Sequence, residues 1–142
     1  FTDRNTIDKR EFAVTSSSVG DVIGDVVYFG TTSVVAGRLY YWDGSGWAAS
    51  DANAVSTSTG FLAIALDTGA ANSVGMCIRG MITLSFDAGS AGDVLYLSET
   101  ANQVTNTAPT TSGAIVRVIG YCMNDTNGQI WFNPDGSWVE NA

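Results

Sequence analysis

The sequence has no histidine, two cysteines and only six lysine or arginine residues among its 142. The absence of histidine excludes a Ser-His-Asp or Cys-His catalytic site and any zinc site that needs a histidine ligand, and two cysteines alone are too few for a structural zinc site. Glycine-rich nucleotide-binding motifs of the GxGxxG or Walker A type are also missing. We therefore expect no cofactor and no enzymatic activity.

The sequence has few charged residues, and most of them are acidic. The 14 acidic residues outnumber the six basic ones, for a formal net charge of -8, so the basic face that nucleic acid requires is not expected. Most acids are aspartates beside Gly, Asn or Ser, which is typical of turns rather than of paired catalytic carboxylates. No apolar run approaches the roughly 18 residues of a membrane span. Because the chain begins at Phe1 without an initiator methionine or a signal peptide, we expect a processed or trimmed N-terminus.

One stretch of the sequence occurs twice in similar form. Residues 92–97 (GDVLYL) repeat residues 24–29 (GDVVYF), and each copy is followed by a polar loop, an apolar run and a closing apolar segment. β-Branched and aromatic residues after a Gly-Asp turn indicate strands. The sequence predicts an all-β fold, a single small β-barrel or sandwich of about ten short antiparallel strands with an internal pseudo-repeat, spanning residues 21–142.

The clearest predicted hairpin lies at residues 39–49, where an Asp-Gly turn joins two apolar strands. Trp42 and Trp47 flank this turn. One interpretation makes them stacking platforms for a carbohydrate. The other makes them a cross-strand pair that pins the hairpin and contributes about 0.5 to 1 kcal/mol. We favour the cross-strand pair.

Residues 1–20 differ from the rest and contain half of the basic residues. We interpret them as an extended N-terminal arm that reaches a neighbouring subunit or a larger assembly, because apolar residues are unusual in a purely solvated tail. The alternative is a frayed terminus. The candidate partner-binding residues of the arm are Phe1, Arg4, Ile7, Lys9, Arg10 and Phe12.

Two smaller features have an ordinary and a special interpretation. Cys77 and Cys122 lie in apolar runs, and we favour free buried thiols over a disulfide between the two halves. Residues 125–128 (DTNG) resemble the start of a calcium loop but lack the ligands that should follow. No metal site is expected.

Several predicted strands are apolar at both odd and even positions: 26–29, 39–42, 61–66 and 94–97. A strand with one face in a core and one in water should alternate. Since one barrel core hides one face, we expect another copy of the chain to cover the second. The candidate subunit-interface residues are Val27, Phe29, Tyr40, Trp42, Leu95 and Leu97.

A characteristic order of segments covers about residues 20–134: 24–26 (GDV), 60–66 (GFLAIAL), 67–71 (DTGAA), 74–84 with Arg79-Gly80, 91–97 (AGDVLYL), 105–107 (TNT) and 118–121 (VIGY). This order resembles the small trimeric β-barrel proteins that cement or decorate tailed-bacteriophage capsids. The ending, from 116–121 (VRVIGY) through 130–134 (IWFNP) to 138–140 (WVE), is similar to the C-terminal domains of phage head and tail fibre proteins. The aromatic hairpin at residues 40–47 has no place in the cement-protein pattern.

The resemblance to cement proteins implies a homotrimer on the outer surface of the virion capsid. There it would bridge neighbouring subunits of the major capsid protein and stabilise the shell. The resemblance carries over no catalytic residues. The alternative is a phage fibre or receptor-binding domain that contacts a host surface glycan.

Overall fold

The computed structural model describes residues 11–14, 18–124 and 128–142. Strand makes up 39% of the described residues and helix 6%, so the all-β prediction is confirmed. Among the described residues, no helix has the length and apolar character that a membrane crossing requires. The elements are β1 (Val22–Val27), β2 (Ser33–Val34), β3 (Leu39–Trp42), β4 (Trp47–Ala49), a 3-10 turn (Val55–Thr57), β5 (Phe61–Ala65), β6 (Gly69–Ala70), α1 (Ala71–Val74), β7 (Met76–Thr83), β8 (Val94–Leu97), β9 (Val104–Thr105), β10 (Ile115–Val116), β11 (Val118–Cys122), β12 (Gln129–Phe132) and β13 (Val139–Glu140).

One antiparallel sheet curls into a half-barrel. Its strand order is β4-β3-β5-β7-β12-β11-β8-β9, and β1 pairs with β7 in addition. β1 lies along one edge of β7, from Val22 opposite Ile82 to Val27 opposite Met76. On the other edge of β7, β5 pairs with its first two residues and β12 with its last four. β7 therefore joins a first half-sheet (β4-β3-β5) to a second half-sheet (β12-β11-β8-β9).

Two glycines allow β1 and β7 to approach closely where the sheet curls. Gly24 lies opposite Gly80, and a Cβ atom on Gly24 would fall 2.2 Å from the carbonyl oxygen of Arg79. A Cβ atom on Gly80 would fall 2.4 Å from the carbonyl oxygen of Ile23, and Gly80 has φ of +141°, which L-residues with a side chain rarely adopt. A shift in register follows between Asp25 and Val26, and such bulges bend a strand.

The main core fills the inside of the curl. Alternate residues of the central strands supply it, including Leu95 and Leu97 of β8 and Ile130 and Phe132 of β12, all with an exposed fraction of 0%. Leu39 of β3 belongs to the same cluster. Burial of these side chains contributes roughly 1.5 to 3 kcal/mol each before the entropy of ordering is counted.

A second hydrophobic cluster covers the opposite face of the first half-sheet. The strands contribute Tyr40, Trp47, Ala63, Ala65 and Met76, and the covering segments contribute Val34 of β2 and Ala71 of α1. β2 pairs with β6 in a separate two-stranded ribbon. The expectation that only another chain could cover this face is therefore wrong for the first half-sheet, because the connections between its strands fold back over it.

The repeated stretch forms a strand in both halves, but with different neighbours. The first copy contributes to β1, which pairs with β7, whereas the second contributes to β8, which pairs with β11 and β9. The closing strands of each half are antiparallel neighbours, β5 with β7 and β11 with β12. The predicted aromatic hairpin is β3 and β4.

Cys77 and Cys122 are both buried thiols that form no disulfide, so the thiol prediction is confirmed and the disulfide alternative is excluded. Both belong to the main core. Burial raises the pKa of the Cys77 thiol to about 12, which keeps it protonated and chemically inert.

Candidate functional site

Three of the six predicted interface residues lie inside the chain. Leu95 and Leu97 are fully buried in the main core, and Tyr40 is only 8% exposed in the second cluster. The hydroxyl of Tyr40 also accepts a hydrogen bond from the backbone N–H of Val35, at 2.8 Å. These three side chains have almost no surface to offer another subunit, so their assignment to an interface is corrected.

The other three predicted interface residues, Val27, Phe29 and Trp42, keep exposed surface. The ring of Phe29 contacts Trp42 edge to face at a centroid distance of 4.8 Å, and Trp42 lies opposite Phe61 in the sheet register. Phe61 is 45% exposed, Phe29 37% and Tyr28 60%. We call Phe29, Trp42 and Phe61 the aromatic rim.

Trp47 lies beneath the aromatic rim and holds it together. Its ring contacts Phe29, Trp42 and Phe61 at centroid distances of 5.4, 5.2 and 5.8 Å, and its indole N–H donates to the carbonyl oxygen of Phe29 at 3.0 Å. Trp47 is 2% exposed, so it presents no open face to a sugar. The prediction of a cross-strand Trp42–Trp47 pair is confirmed.

Only one of the six predicted arm residues falls within the described residues. Phe1, Arg4, Ile7, Lys9 and Arg10 lie outside them, as do residues 125–127 of the calcium-like segment. Phe12 packs edge to face on Trp131 at a centroid distance of 5.2 Å and is 38% exposed. Gln129 donates from its side-chain amide to the carbonyl oxygen of Ala13 at 3.3 Å. Residues 12 and 13 therefore lie against the second half-sheet of the same chain.

The outer face of the second half-sheet carries a row of apolar side chains. The register places Val94 of β8 opposite Tyr121 of β11, and Tyr121 opposite Trp131 of β12. The row continues through Met81 of β7 to Ile23 of β1. Exposed fractions are 44% for Tyr121 and 43% for Ile23. The second cluster does not reach this half of the sheet.

A cleft of about 330 Å³ opens on this outer face. Val118, Tyr121 and Trp131 form one side of the cleft. The turn after β12, residues 133–136 (NPDG), forms the other side. Two aromatic residues, Tyr121 and Trp131, and two polar ones, Asn133 and Asp135, therefore line the same cleft. Within the described residues no group of three or more His, Cys, Asp or Glu side chains could hold a metal ion.

The turn that closes the cleft is fixed by backbone hydrogen bonds. The N–H groups of Asn133 and Asp135 donate to the carbonyl oxygens of Ile119 and Val118, at 2.8 and 2.9 Å. The N–H of Ser137 donates to Asp135 Oδ1 at 3.0 Å. The wall and the turn are thus parts of one hydrogen-bonded unit.

Arg117 braces the cleft from below and is only 7% exposed. Its Nε donates to the carbonyl oxygen of Asp135 at 2.7 Å, and a terminal nitrogen donates to the carbonyl oxygens of Ser58 and Gly60, both at 2.8 Å. Burial lowers the pKa of Arg117 from its ordinary value, and the Asp135 carboxylate acts in the opposite direction. The turn is therefore tied both to β11 and to the loop before β5.

A positive charge already lies on the aromatic wall. The guanidinium of Arg79 lies over the ring of Trp131, 5.6 Å from its centroid. The Trp131 ring is therefore held by Arg79 and by the edge of Phe12. These contacts fix its orientation while leaving it partly exposed.

Tyr121, Trp131, Asn133 and Asp135 were not among the residues that the sequence singled out for function. The available signal was the turn NPDG directly after an aromatic strand, since binding residues occur disproportionately on loops that a rigid scaffold positions. Nothing local in the sequence indicates that Tyr121 lies next to Trp131. That proximity comes from the β11–β12 pairing.

The described residues thus form an all-β fold with a cleft on the outer face of its second half-sheet. No family model, no curated protein and no solved structure matches the chain.

Proposed function

We propose that this chain is a non-enzymatic virion structural protein that works as a homotrimer on the outer surface of a capsid and stabilises it. The sequence resemblance to cement proteins supports the placement and the trimer. The observation that carries self-association is the aromatic rim, where Phe29 and Phe61 are each more than a third exposed and both contact the ring of Trp47. Aromatic side chains without intervening charge are typical of the centres of protein interfaces.

The partner of the aromatic rim in this proposal is a second copy of the chain. In a closed trimer each interface is heterologous, so the rim of one subunit meets a different patch of the next. Val27, Phe29 and Trp42 remain in this interface, whereas Tyr40, Leu95 and Leu97 support it from inside. Such an arrangement buries the rim and leaves the cleft of the second half-sheet open.

The N-terminal arm is proposed to bind the major capsid protein. Phe12 lies on Trp131 of its own chain, and from this point Phe1 and Ile7 would act as apolar anchors on the coat. Arg4, Lys9 and Arg10 would meet coat carboxylates, mostly at an exposed rim where each ion pair contributes little.

Light scattering coupled to size-exclusion chromatography tests self-association. We expect the mass of three chains for the unmodified protein and dissociation at roughly tenfold higher concentration for Phe61→Thr. This shift corresponds to about 2.7 kcal/mol per trimer, or about 0.9 kcal/mol per interface, because the dissociation constant of a trimer scales with the square of the concentration. The matched control is Tyr121→Thr, because Tyr121 is 44% exposed against 45% for Phe61 and also lies in a strand. A stable, folded single chain at micromolar concentration would refute the trimer.

Removal of residues 1–10 separates decoration from the alternative. This deletion retains Phe12 and its contact with Trp131. Loss of binding to purified coat shells by an intact trimer supports decoration. Unchanged binding to shells contradicts a role for the arm.

A fibre or receptor-binding domain that contacts a host surface glycan is the second candidate function. The observation that favours it is the outer-face cleft, with its two aromatic rings and two polar side chains. Specific retention of the protein on host cells that is abolished by cleft substitutions would support it.

A further inference from the structure

We propose that the outer-face cleft binds a neutral saccharide, with one sugar ring against the Tyr121–Trp131 wall and its hydroxyl groups on Asn133 and Asp135. The inference gives the fibre candidate a specific site and a ligand class. It does not rest on the trimer or on the aromatic rim.

The aromatic wall suits the C–H face of a pyranose ring. Tyr121 and Trp131 are direct cross-strand neighbours, so their side chains emerge on the same face a few ångströms apart. Aromatic ring faces carry partial negative charge and attract the slightly positive C–H groups of a sugar. Tyr121 is 44% exposed in the free protein, so the platform exists before the ligand arrives.

The turn at the other end of the cleft offers the complementary polar groups. A sugar hydroxyl both donates and accepts hydrogen bonds. The Asn133 amide can do both, and the Asp135 carboxylate accepts. Asp135 Oδ1 accepts from Ser137 N–H, and a carboxylate has further acceptor positions for a hydroxyl. Hydrogen bonds to an ionised acceptor are the stronger kind.

The charges around the cleft select a neutral ligand. An anionic sugar would meet the Asp135 carboxylate and a chain with a net charge of -8. A cationic ligand would compete with Arg79, whose guanidinium lies over the Trp131 ring. The negative charges oppose an anion, and Arg79 already occupies the position over the Trp131 ring that a cation would take, so a neutral sugar is the best match.

The size and rigidity of the cleft fit a short saccharide. Its volume of about 330 Å³ is at the lower end of the roughly 300 to 1,000 Å³ typical of small-molecule sites. Arg117 and the backbone bonds of Asn133 and Asp135 hold the polar end in place. A preformed site avoids the entropic cost of ordering a loop on binding.

The test uses saturation-transfer NMR and tryptophan fluorescence titration of the full chain. The probes are the methyl glycosides of glucose, galactose, mannose and N-acetylglucosamine, with choline and glucuronate as charged probes. We expect saturable binding of at least one neutral glycoside. Tyr121→Ala and Asp135→Asn should each weaken it about tenfold or more, and both charged probes should bind at least tenfold more weakly.

Phe61→Ala serves as the matched control, since Phe61 is as exposed as Tyr121 but lies in the aromatic rim. It should leave sugar binding unchanged while weakening self-association. Asp135→Asn retains the acceptor for Ser137 and tests the site even if Tyr121→Ala reduces stability. The proposal is overturned if none of the four glycosides saturates, if either charged probe binds more tightly, or if the two cleft variants bind as the unmodified protein does. Failure here with an intact trimer leaves the capsid proposal standing.

Discussion

Replacement of Arg117 by methionine should cost the protein a large part of its stability, even though the residue belongs to no regular strand. Arg117 is 7% exposed and donates hydrogen bonds to the carbonyl oxygens of Asp135, Ser58 and Gly60. Methionine fills similar volume but provides no donor. The substitution therefore leaves three carbonyl groups without their present partner and releases the turn that closes the cleft.

The expected loss in the free energy of unfolding depends on the number of these hydrogen bonds and on which of them water can replace. A hydrogen bond from a charged donor contributes about 1.5 to 3 kcal/mol, so three at face value amount to about 5 to 9 kcal/mol. Asp135 and Gly60 are exposed residues, whereas Ser58 is 0% exposed, so water can restore part of the loss. We expect a decrease of about 3 to 5 kcal/mol in the free energy of unfolding.

Urea denaturation followed by tryptophan fluorescence measures this decrease. Arg38→Met is the control, because Arg38 is only half-buried and lies over the Phe86 ring at 5.2 Å, a contact that contributes about 1 kcal/mol or less when exposed. Arg117→Lys should fall between the two, since a single ammonium group cannot match the fork of the guanidinium. A loss below about 1 kcal/mol for Arg117→Met would refute the idea that this residue braces the cleft.

Two further predictions concern titratable groups. Because Cys77 and Cys122 are both buried, and burial raises the pKa of Cys77 to about 12, neither thiol should react with a disulfide reagent near pH 8 until the protein is unfolded; rapid labelling of the native protein would contradict the buried positions. Hydrogen bonds from the Asn106 side chain and the Ser90 N–H lower the pKa of Asp93, so this carboxylate stabilises the fold above its ordinary pKa near 4 and loses that effect as the pH falls through the lower folded value. Carbon-13 NMR titration should show the Asp93 pKa rising toward its ordinary value in Asn106→Ala, and an unchanged pKa would contradict the assigned cause.

The hairpin at β3 and β4 could be predicted because its determinants are local. Asp43 Oδ1 accepts hydrogen bonds from the N–H groups of Ser45 and Gly46, both at 2.8 Å, which is the chemistry expected of an Asp-Gly turn. The two strands on either side then meet in the register that places Trp42 opposite Trp47. A few adjacent residues are sufficient to specify this element.

The sequence of β8 does not predict which of its two faces points into the core. All four residues of Val94–Leu97 are apolar or aromatic, and a strand shifted by one residue exchanges its two faces completely. The pairing of β8 with β11 decides that Leu95 and Leu97 turn inward. That pairing joins segments more than 20 residues apart, so no short window contains it.

The segments that cover the outer face of the first half-sheet could not be predicted for a related reason. β2 and β6 have two residues each and α1 has four, so none of them produces a recognisable periodic pattern. Their contribution depends on position, since Val34 and Ala71 become buried only when the connections fold over the sheet. The cleft likewise depends on a long-range contact, between Arg117 and the turn at Asp135.

Because both half-sheets pair with β7, this strand determines how the protein unfolds. Each half-sheet uses a different stretch of one edge of β7, and β1 occupies the whole of the other edge. Neither half-sheet can therefore unfold separately without disrupting β7, on which the other half-sheet also depends. Denaturation should be a single all-or-none event, and a chain cut between the halves should give two pieces that fold only when they are mixed.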